Sequence, residues 1–131
     1  MRLMGLVWSK AARSDINGAV SEVLKQQQPE GGWSQLPQLE PDAYATGSSL
    51  YALRQAGMQP IAEPYRRGIR FLLRTQYRDG AWLVKTRSFP SQRYFESGYP
   101  FGRHQWVSAQ GSGWASLAIA ETLKDAAETP R

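Results

Sequence analysis

The chain contains no cysteine, which removes disulfide frameworks, thiolate zinc sites and cysteine nucleophiles together. The compartment stays open, because a chain without thiols suits either redox environment. Histidine occurs once, as His104. Long apolar runs are also missing, since nothing approaches the roughly 20 residues of a membrane span. The N-terminal apolar stretch extends only from Leu3 to Trp8. That is short of the roughly 7–15-residue core of a signal peptide, and it reads as a piece of helix. With no signal peptide apparent, the sequence names no compartment and is cytoplasmic by default.

What remains is the composition of a folded domain: 131 residues, 41% hydrophobic and 21% charged, with five tryptophans. The length suits one core, and the composition excludes disordered tails and collagen-like repeats. The net charge is +5, a balance that permits an anionic partner without requiring one. No nucleic-acid partner and no cofactor are expected.

An internal repeat organises the sequence. Gln27-Gln28-Pro29-Glu30-Gly31-Gly32-Trp33 and Gln76-Tyr77-Arg78-Asp79-Gly80-Ala81-Trp82 share the pattern Q-x-x-(acid)-G-x-W at a separation of 49 residues. The same offset aligns Val20 with Ile69, Val23 with Leu72 and Leu24 with Leu73. Upstream of each motif, helical spacing puts Ile16, Val20, Val23 and Leu24, and then Ile69, Leu72 and Leu73, on one face. The first of these helices is expected to start at Ser14, an N-cap residue type, and the second at Pro64. Arg66, Arg70, Arg74 and Arg78 recur every fourth residue opposite the second apolar stripe, as a solvated face. Downstream lie helices of another kind, from Asp42 to Ala56 with Gly57 as C-terminal cap, and from Ser108 to about Ala127. They are nearly uncharged and rich in small residues, as helices crowded on both sides require. Thr46-Gly47 aligns with Ser112-Gly113, and Ala52-Leu53 with Ala118-Ile119.

The two copies differ by an insertion at about 86–104, which carries Phe89, Tyr94, Phe95, Tyr99 and Phe101 together with Glu96 and His104. Beside Arg93 and Trp106, the pair Glu96/His104 offers an acid and a base in an aromatic setting. The alternative is an ordered loop whose aromatics cover helix ends. Tyr44, Tyr51 and Trp114, on the small-residue helices, either line an apolar cavity or belong to the core. Gly111-Ser112-Gly113 has the letters of a phosphate or nucleophile loop but lacks a preceding strand, so helix packing explains it better.

The two motifs resemble the QW repeat of squalene–hopene cyclases and related terpenoid cyclases, an α/α-toroid superfamily that also includes protein prenyltransferase β subunits. The resemblance runs from about Leu3 to Leu123, with Gly32 and Ala81 where serine is common. Arg2–Trp8 looks like the tail of an inner helix from a preceding repeat. The likeness implies an all-α, α/α-toroid-type fragment: one domain over 1–131, built of two helical hairpins at about 14–57 and 64–127. It also implies a structural role for Gln27, Glu30, Gly31, Trp33, Gln76, Asp79, Gly80 and Trp82, which staple neighbouring helices. Physically, the acid-Gly pair suits a turn with positive φ, the tryptophans bury large rings, and the glutamines satisfy open backbone groups.

Against the family's D-x-D-D-T acid, the stretch Asp42-Ala43-Tyr44-Ala45-Thr46 keeps only Asp42 and Thr46. Tyrosine and alanine cannot protonate an alkene as a carboxylic acid can. The prenyltransferase zinc site needs Cys and His, so no metal is expected. The reading is therefore a non-catalytic binding or scaffold module for an apolar, isoprenoid-like ligand, with Tyr44, Tyr51, Tyr94, Phe95, Tyr99, Trp106 and Trp114 as candidate contacts. The alternative is an enzyme, acting on a lipid or carbohydrate through Glu96 and His104. A third possibility is a piece that completes a larger ring, and two hairpins alone lead one to expect self-association or a partner segment.

Overall fold

The computed structural model describes residues 1–87 and 94–128, and among them every regular element is helical. The elements are α1 (Arg2–Trp8), α2 (Arg13–Lys25), α3 (Ala43–Gln55), α4 (Glu63–Thr75) and α5 (Gln105–Glu128), with a 3-10 turn over Gly102–His104 leading into α5. The expected all-α class is the observed one. Phe89 and Arg93 of the insertion lie outside the described residues.

α3 is the centre. It makes its longest contact with α5 and also packs against α4 and α1, while α2 packs on α1. An inner row α1–α3–α5 thus carries α2 and α4 on its outside. The sequence of α3 explains its position: Ala43, Ala45, Thr46, Gly47, Ser48, Ser49, Leu50, Ala52 and Leu53 are all buried. Small side chains allow neighbouring backbones to come close. Within the helix, Ser48 Oγ donates to the Tyr44 carbonyl at 2.8 Å. Only α4 shows a sharp division into faces, with Tyr65, Gly68, Phe71 and Leu72 buried and Arg66 and Arg70 exposed beside Glu63 at 3.9 and 3.8 Å.

The helix ends follow local chemistry, with one correction. Asp42 caps α3, its Oδ1 accepting from Ala45 N at 2.8 Å, and Gly57 closes the other end at φ +102°. Pro64 falls in the first turn of α4, as expected. The N-cap position of α2 is Ala12 rather than Ser14. Asp15 N and Ile16 N already donate to the Ala12 carbonyl at 3.0 and 3.2 Å, so the helix is under way before Ser14 can cap it. Leu73 also departs from its expected face. Although it keeps helical spacing with Leu72, it is 56% exposed.

α1 ends as α3 does. Lys10 N donates to Val7 O and Ala11 N to Leu6 O, while Gly57 N donates to Arg54 O and Met58 N to Leu53 O, all at 3.0–3.1 Å. Lys10 takes the left-handed conformation (φ +54°) that Gly57 takes in α3. At the far end of the inner row, Arg54 of α3 reaches Asp125 of α5 at 2.6 Å, beside the pair formed by Lys124 and the buried Glu121.

Candidate functional site

Three regions bear on function: the two turns around Trp33 and Trp82, the loop carrying Glu96 and His104, and the outward face of α5.

The turns share one set of hydrogen bonds. The first copy closes with Gly31 N donating to Gln28 O and Gln28 N to Gly32 O, and the second with Gly80 N to Tyr77 O and Tyr77 N to Ala81 O, each at 2.9 Å. The glutamine amides follow suit, Gln27 Nε2 donating to Gly31 O at 2.8 Å and Gln76 Nε2 to Gly80 O at 2.9 Å. Gly31 and Gly80 have φ of +96° and +87°, a region where side chains are costly. Each indole is almost fully buried and donates ten residues back, Trp33 Nε1 to Val23 O at 2.7 Å and Trp82 Nε1 to Leu72 O at 2.8 Å.

The tryptophan backbone is held as well. Trp33 N donates to Thr46 Oγ1 and Trp82 N to Ser112 Oγ, both at 2.9 Å. The hydroxyls in turn donate to the carbonyl of the same tryptophan, Thr46 at 3.3 Å and Ser112 at 3.4 Å. One turn earlier on α5, Ser108 Oγ treats Val84 the same way, accepting from its N–H at 2.9 Å and donating to its carbonyl at 3.1 Å. The alignment of Thr46 with Ser112 was visible in the sequence. The role of their hydroxyls was not, and an inner-helix Ser/Thr at the same aligned position after each motif tryptophan is the signal that marks it.

Asp42, the residue matching the first position of the family's acid motif, is fully engaged. Besides the cap, its Oδ2 accepts from Gln35 Nε2 at 2.8 Å and lies 3.8 Å from Arg87.

In the loop, Glu96 and His104 have separate partners. Glu96 Oε2 accepts from the Tyr94 hydroxyl, and Oε1 from Gly98 N at 3.0 Å. The Tyr94 hydrogen bond, then that of Gly98, holds the Glu96 carboxyl below its ordinary range, while Glu96 pushes the Tyr94 phenol up. His104 Nδ1 accepts from Thr86 N at 3.0 Å, which places the proton of the neutral ring on Nε2. Glu96 and His104 thus each have their own anchors in the loop.

The residue that organises this loop is Gln105, fully buried at the start of α5. Its Oε1 accepts from Ser97 N at 2.5 Å and from the Ser97 hydroxyl, and its Nε2 donates to Tyr94 Oη at 3.0 Å and Gly102 O at 2.9 Å.

The candidate ligand contacts are dispersed. Tyr44 is half-buried against the core, and Tyr51 and Trp114 form a tilted pair with centroids 5.7 Å apart. Phe95 stacks on Trp106 at 6.2 Å, and both are exposed. Phe101, from the insertion, meets Tyr77 edge-on at 5.0 Å. Tyr99 alone of the seven lines an open groove of about 470 Å³, with Asp79, Gly80, Pro100, Ser112 and Gly113 among its other walls. A smaller groove of about 310 Å³ lies at the α3 N-terminus beside Asp42, Phe71, Tyr77 and Leu83.

The Arg66/Arg70/Arg74/Arg78 row is exposed. Arg74 donates to the Glu30 carbonyl at 3.1 Å and lies 5.8 Å from the Phe71 ring centroid. Among the described residues no helix is long and apolar enough to cross a membrane.

No protein-family model matches the chain, and neither a curated protein nor a solved structure gives a significant match.

Proposed function

We propose that this chain is a QW-repeat, α/α-toroid-type module of the terpenoid cyclase kind that serves as a non-catalytic scaffold. An apolar, isoprenoid-like ligand would lie in the groove beside Tyr99. The observation that carries the reading is the recurrence of the same turn, indole, glutamine and hydroxyl hydrogen bonds around Trp33 and Trp82. A motif whose side chains are spent on its own backbone is built to hold helices.

The chemistry of the candidate acids supports the non-catalytic half. Asp42 is bound up in a helix cap and an ion pair, and both Glu96 oxygens accept hydrogen bonds, from the Tyr94 hydroxyl and Gly98 N. A protonating cyclase needs an uncommitted, protonated carboxylic acid facing its substrate.

The test is product analysis on the purified chain incubated with squalene or a prenyl diphosphate, with native mass spectrometry of the same sample. The expected result is a folded protein that forms no cyclised or transferred product. Turnover that disappears in Glu96→Gln or His104→Ala would establish the enzyme reading instead.

A further inference from the structure

The segment from Trp82 to Thr86 is fastened to α5, and to the turn leading into it, by a ladder of backbone-to-side-chain hydrogen bonds. Every second N–H of the segment donates to every fourth side chain of the helical element. Trp82 N donates to Ser112 Oγ and Val84 N to Ser108 Oγ, both at 2.9 Å, and Thr86 N donates to His104 Nδ1 at 3.0 Å. The spacing is that of extended chain against one face of a helix, since two extended residues rise about 6.7 Å and four helical ones about 6 Å. In the first copy the ladder has a single rung, Trp33 N on Thr46 Oγ1. There Asp42 N already donates to Trp33 O, and the chain enters α3.

The last rung differs in kind from the other two. A serine hydroxyl accepts from an N–H and donates to a carbonyl at once, as Ser112 does with Trp82 and Ser108 with Val84, and it does not titrate. An imidazole nitrogen accepts only while it is unprotonated. A proton on Nδ1 would turn this acceptor into a donor facing the Thr86 N–H, and the rung would be lost. Histidine is the side chain that makes this change between about pH 5 and 8, whereas ordinary carboxylates titrate lower. The charges near the rung do not favour the charged ring. Lys85 and Arg87 flank Thr86, Arg103 precedes His104, and α5 carries no charged side chain before Glu121. Asp42 of α3 is taken up by Arg87 and Glu96 by Tyr94 and Gly98, and among the described residues no carboxylate pairs with His104. The amino end of α5 also opposes an added positive charge.

We propose that His104 is a pH-operated fastener, which as a neutral ring holds Thr86 to the head of α5 and on protonation frays the ladder from this end. The rung joins residues 18 apart in the chain, so it closes the base of the loop whose Tyr99 and Pro100 line the groove of about 470 Å³. Gln105 holds the same loop further out, through Ser97, Tyr94 and Gly102. The loop is thus pinned at two points when His104 is neutral and at one when it is charged. Strain favours the release: Phe101 has φ +83°, a region costly for a bulky side chain, and its carbonyl accepts from His104 N at 2.9 Å. The fastener sets how firmly the groove wall is held.

What the groove holds rests on the reading under Proposed function, but the fastener does not, and its test uses the full chain without ligand. The experiment is amide hydrogen exchange, read at single residues at about pH 8 and about pH 5 and corrected for the intrinsic effect of pH on exchange. Protection of the Thr86 amide should fall about tenfold or more at the lower pH. The Trp82 and Val84 amides, whose acceptors are hydroxyls, should stay protected and serve as references. His104→Asn keeps an acceptor oxygen near the place of Nδ1 and does not titrate, so Thr86 should remain protected at both pH values. In His104→Ala it should be unprotected at both. Circular dichroism checks that each variant is folded, and the wild-type comparison stands without them. Equal protection of wild-type Thr86 at the two pH values overturns the fastener, as does a loss shared equally by Trp82 and Val84, or a pH step that survives in His104→Asn. Any of these leaves the scaffold reading standing.

Discussion

Gly47 of α3 lies against the backbone of Trp114 on α5 so closely that a Cβ at this position would come within 2.5 Å of the Trp114 carbonyl carbon. Backbone cannot yield as the tip of a side chain can. Gly47→Ala is therefore expected to push α3 and α5 apart and to cost at least about 1–3 kcal/mol, the range for overpacked cores. Among the described residues, its counterpart Gly113 has open space around it. Gly113→Ala should gain up to about 1 kcal/mol from helix propensity. Urea denaturation of the two variants checks both signs, and equal effects would mean that the two glycines do not differ in their surroundings.

The glutamines give a second asymmetry. Gln27 bridges its own turn and the start of α4, whereas among the described residues Gln76 closes only its own turn. With about 0.5–1.5 kcal/mol per hydrogen bond, Gln27→Ala should destabilise the chain roughly twice as much as Gln76→Ala. Thermal unfolding monitored by circular dichroism measures the difference.

Thr46 and Ser112 tie the tryptophan segments to the inner helices through buried hydroxyls. Thr46→Val keeps the shape of the side chain and removes the acceptor for Trp33 N. An orphaned buried donor costs about 1–3 kcal/mol, and Ser112→Ala should fall in the same range. If either variant unfolds at the wild-type urea midpoint, water or a shifted backbone has replaced the hydroxyl.

These hydroxyls mark where the sequence stopped being legible. The 49-residue repeat, the four longer helices and the Gly57 terminus follow from periodicity and local chemistry, which depend on near neighbours. The alignment of Thr46 with Ser112 was also available. What each hydroxyl bonds to was hidden, because Trp33 and Trp82 lie 13 and 30 residues away from them.

Gln105 was missed for a related reason. A glutamine is ordinarily a surface residue, and only the folded-back loop gives this one enough partners to be buried. Leu73 errs in the other direction. Its spacing fits the apolar stripe of α4, yet the buried face is set by Tyr65, Gly68, Phe71 and Leu72, one residue to the side. Pairing Glu96 with His104 rested on proximity in sequence, and the loop gives each a different anchor.

Gln105→Ala should release the loop without melting the helical core. The variant loses the acceptor for Ser97 and the donor to Tyr94 and Gly102, while the core contacts of α3, α4 and α5 lie elsewhere. Limited proteolysis should show faster cleavage between residues 94 and 104 with little change in helical circular dichroism. Wild-type resistance to protease in the variant would show that the loop is held by its aromatics, through Phe95–Trp106 and Tyr77–Phe101.

Tyr65 predicts the behaviour at high pH. Its side chain is fully buried in the core, and its hydroxyl donates to the Ala118 carbonyl at 3.1 Å. Burial, followed by the negative charge of Glu121, pushes the phenol from 10.0 up to about 12, against the pull of Arg54. Because the folded state holds this proton more tightly than the unfolded chain does, the stabilisation is complete below about pH 10 and is lost as pH rises through about 12. In that window the unfolded chain binds fewer protons, so the unfolding free energy falls with increasing pH. Tyr65→Phe keeps the ring and removes the titrating group. Its unfolding free energy, measured by urea denaturation across the same window, should decline less steeply than that of the wild type, and tyrosinate absorbance of the folded wild type should show one phenol ionising late. Parallel pH profiles for the two proteins would mean that the Tyr65 hydroxyl reaches water in the folded state.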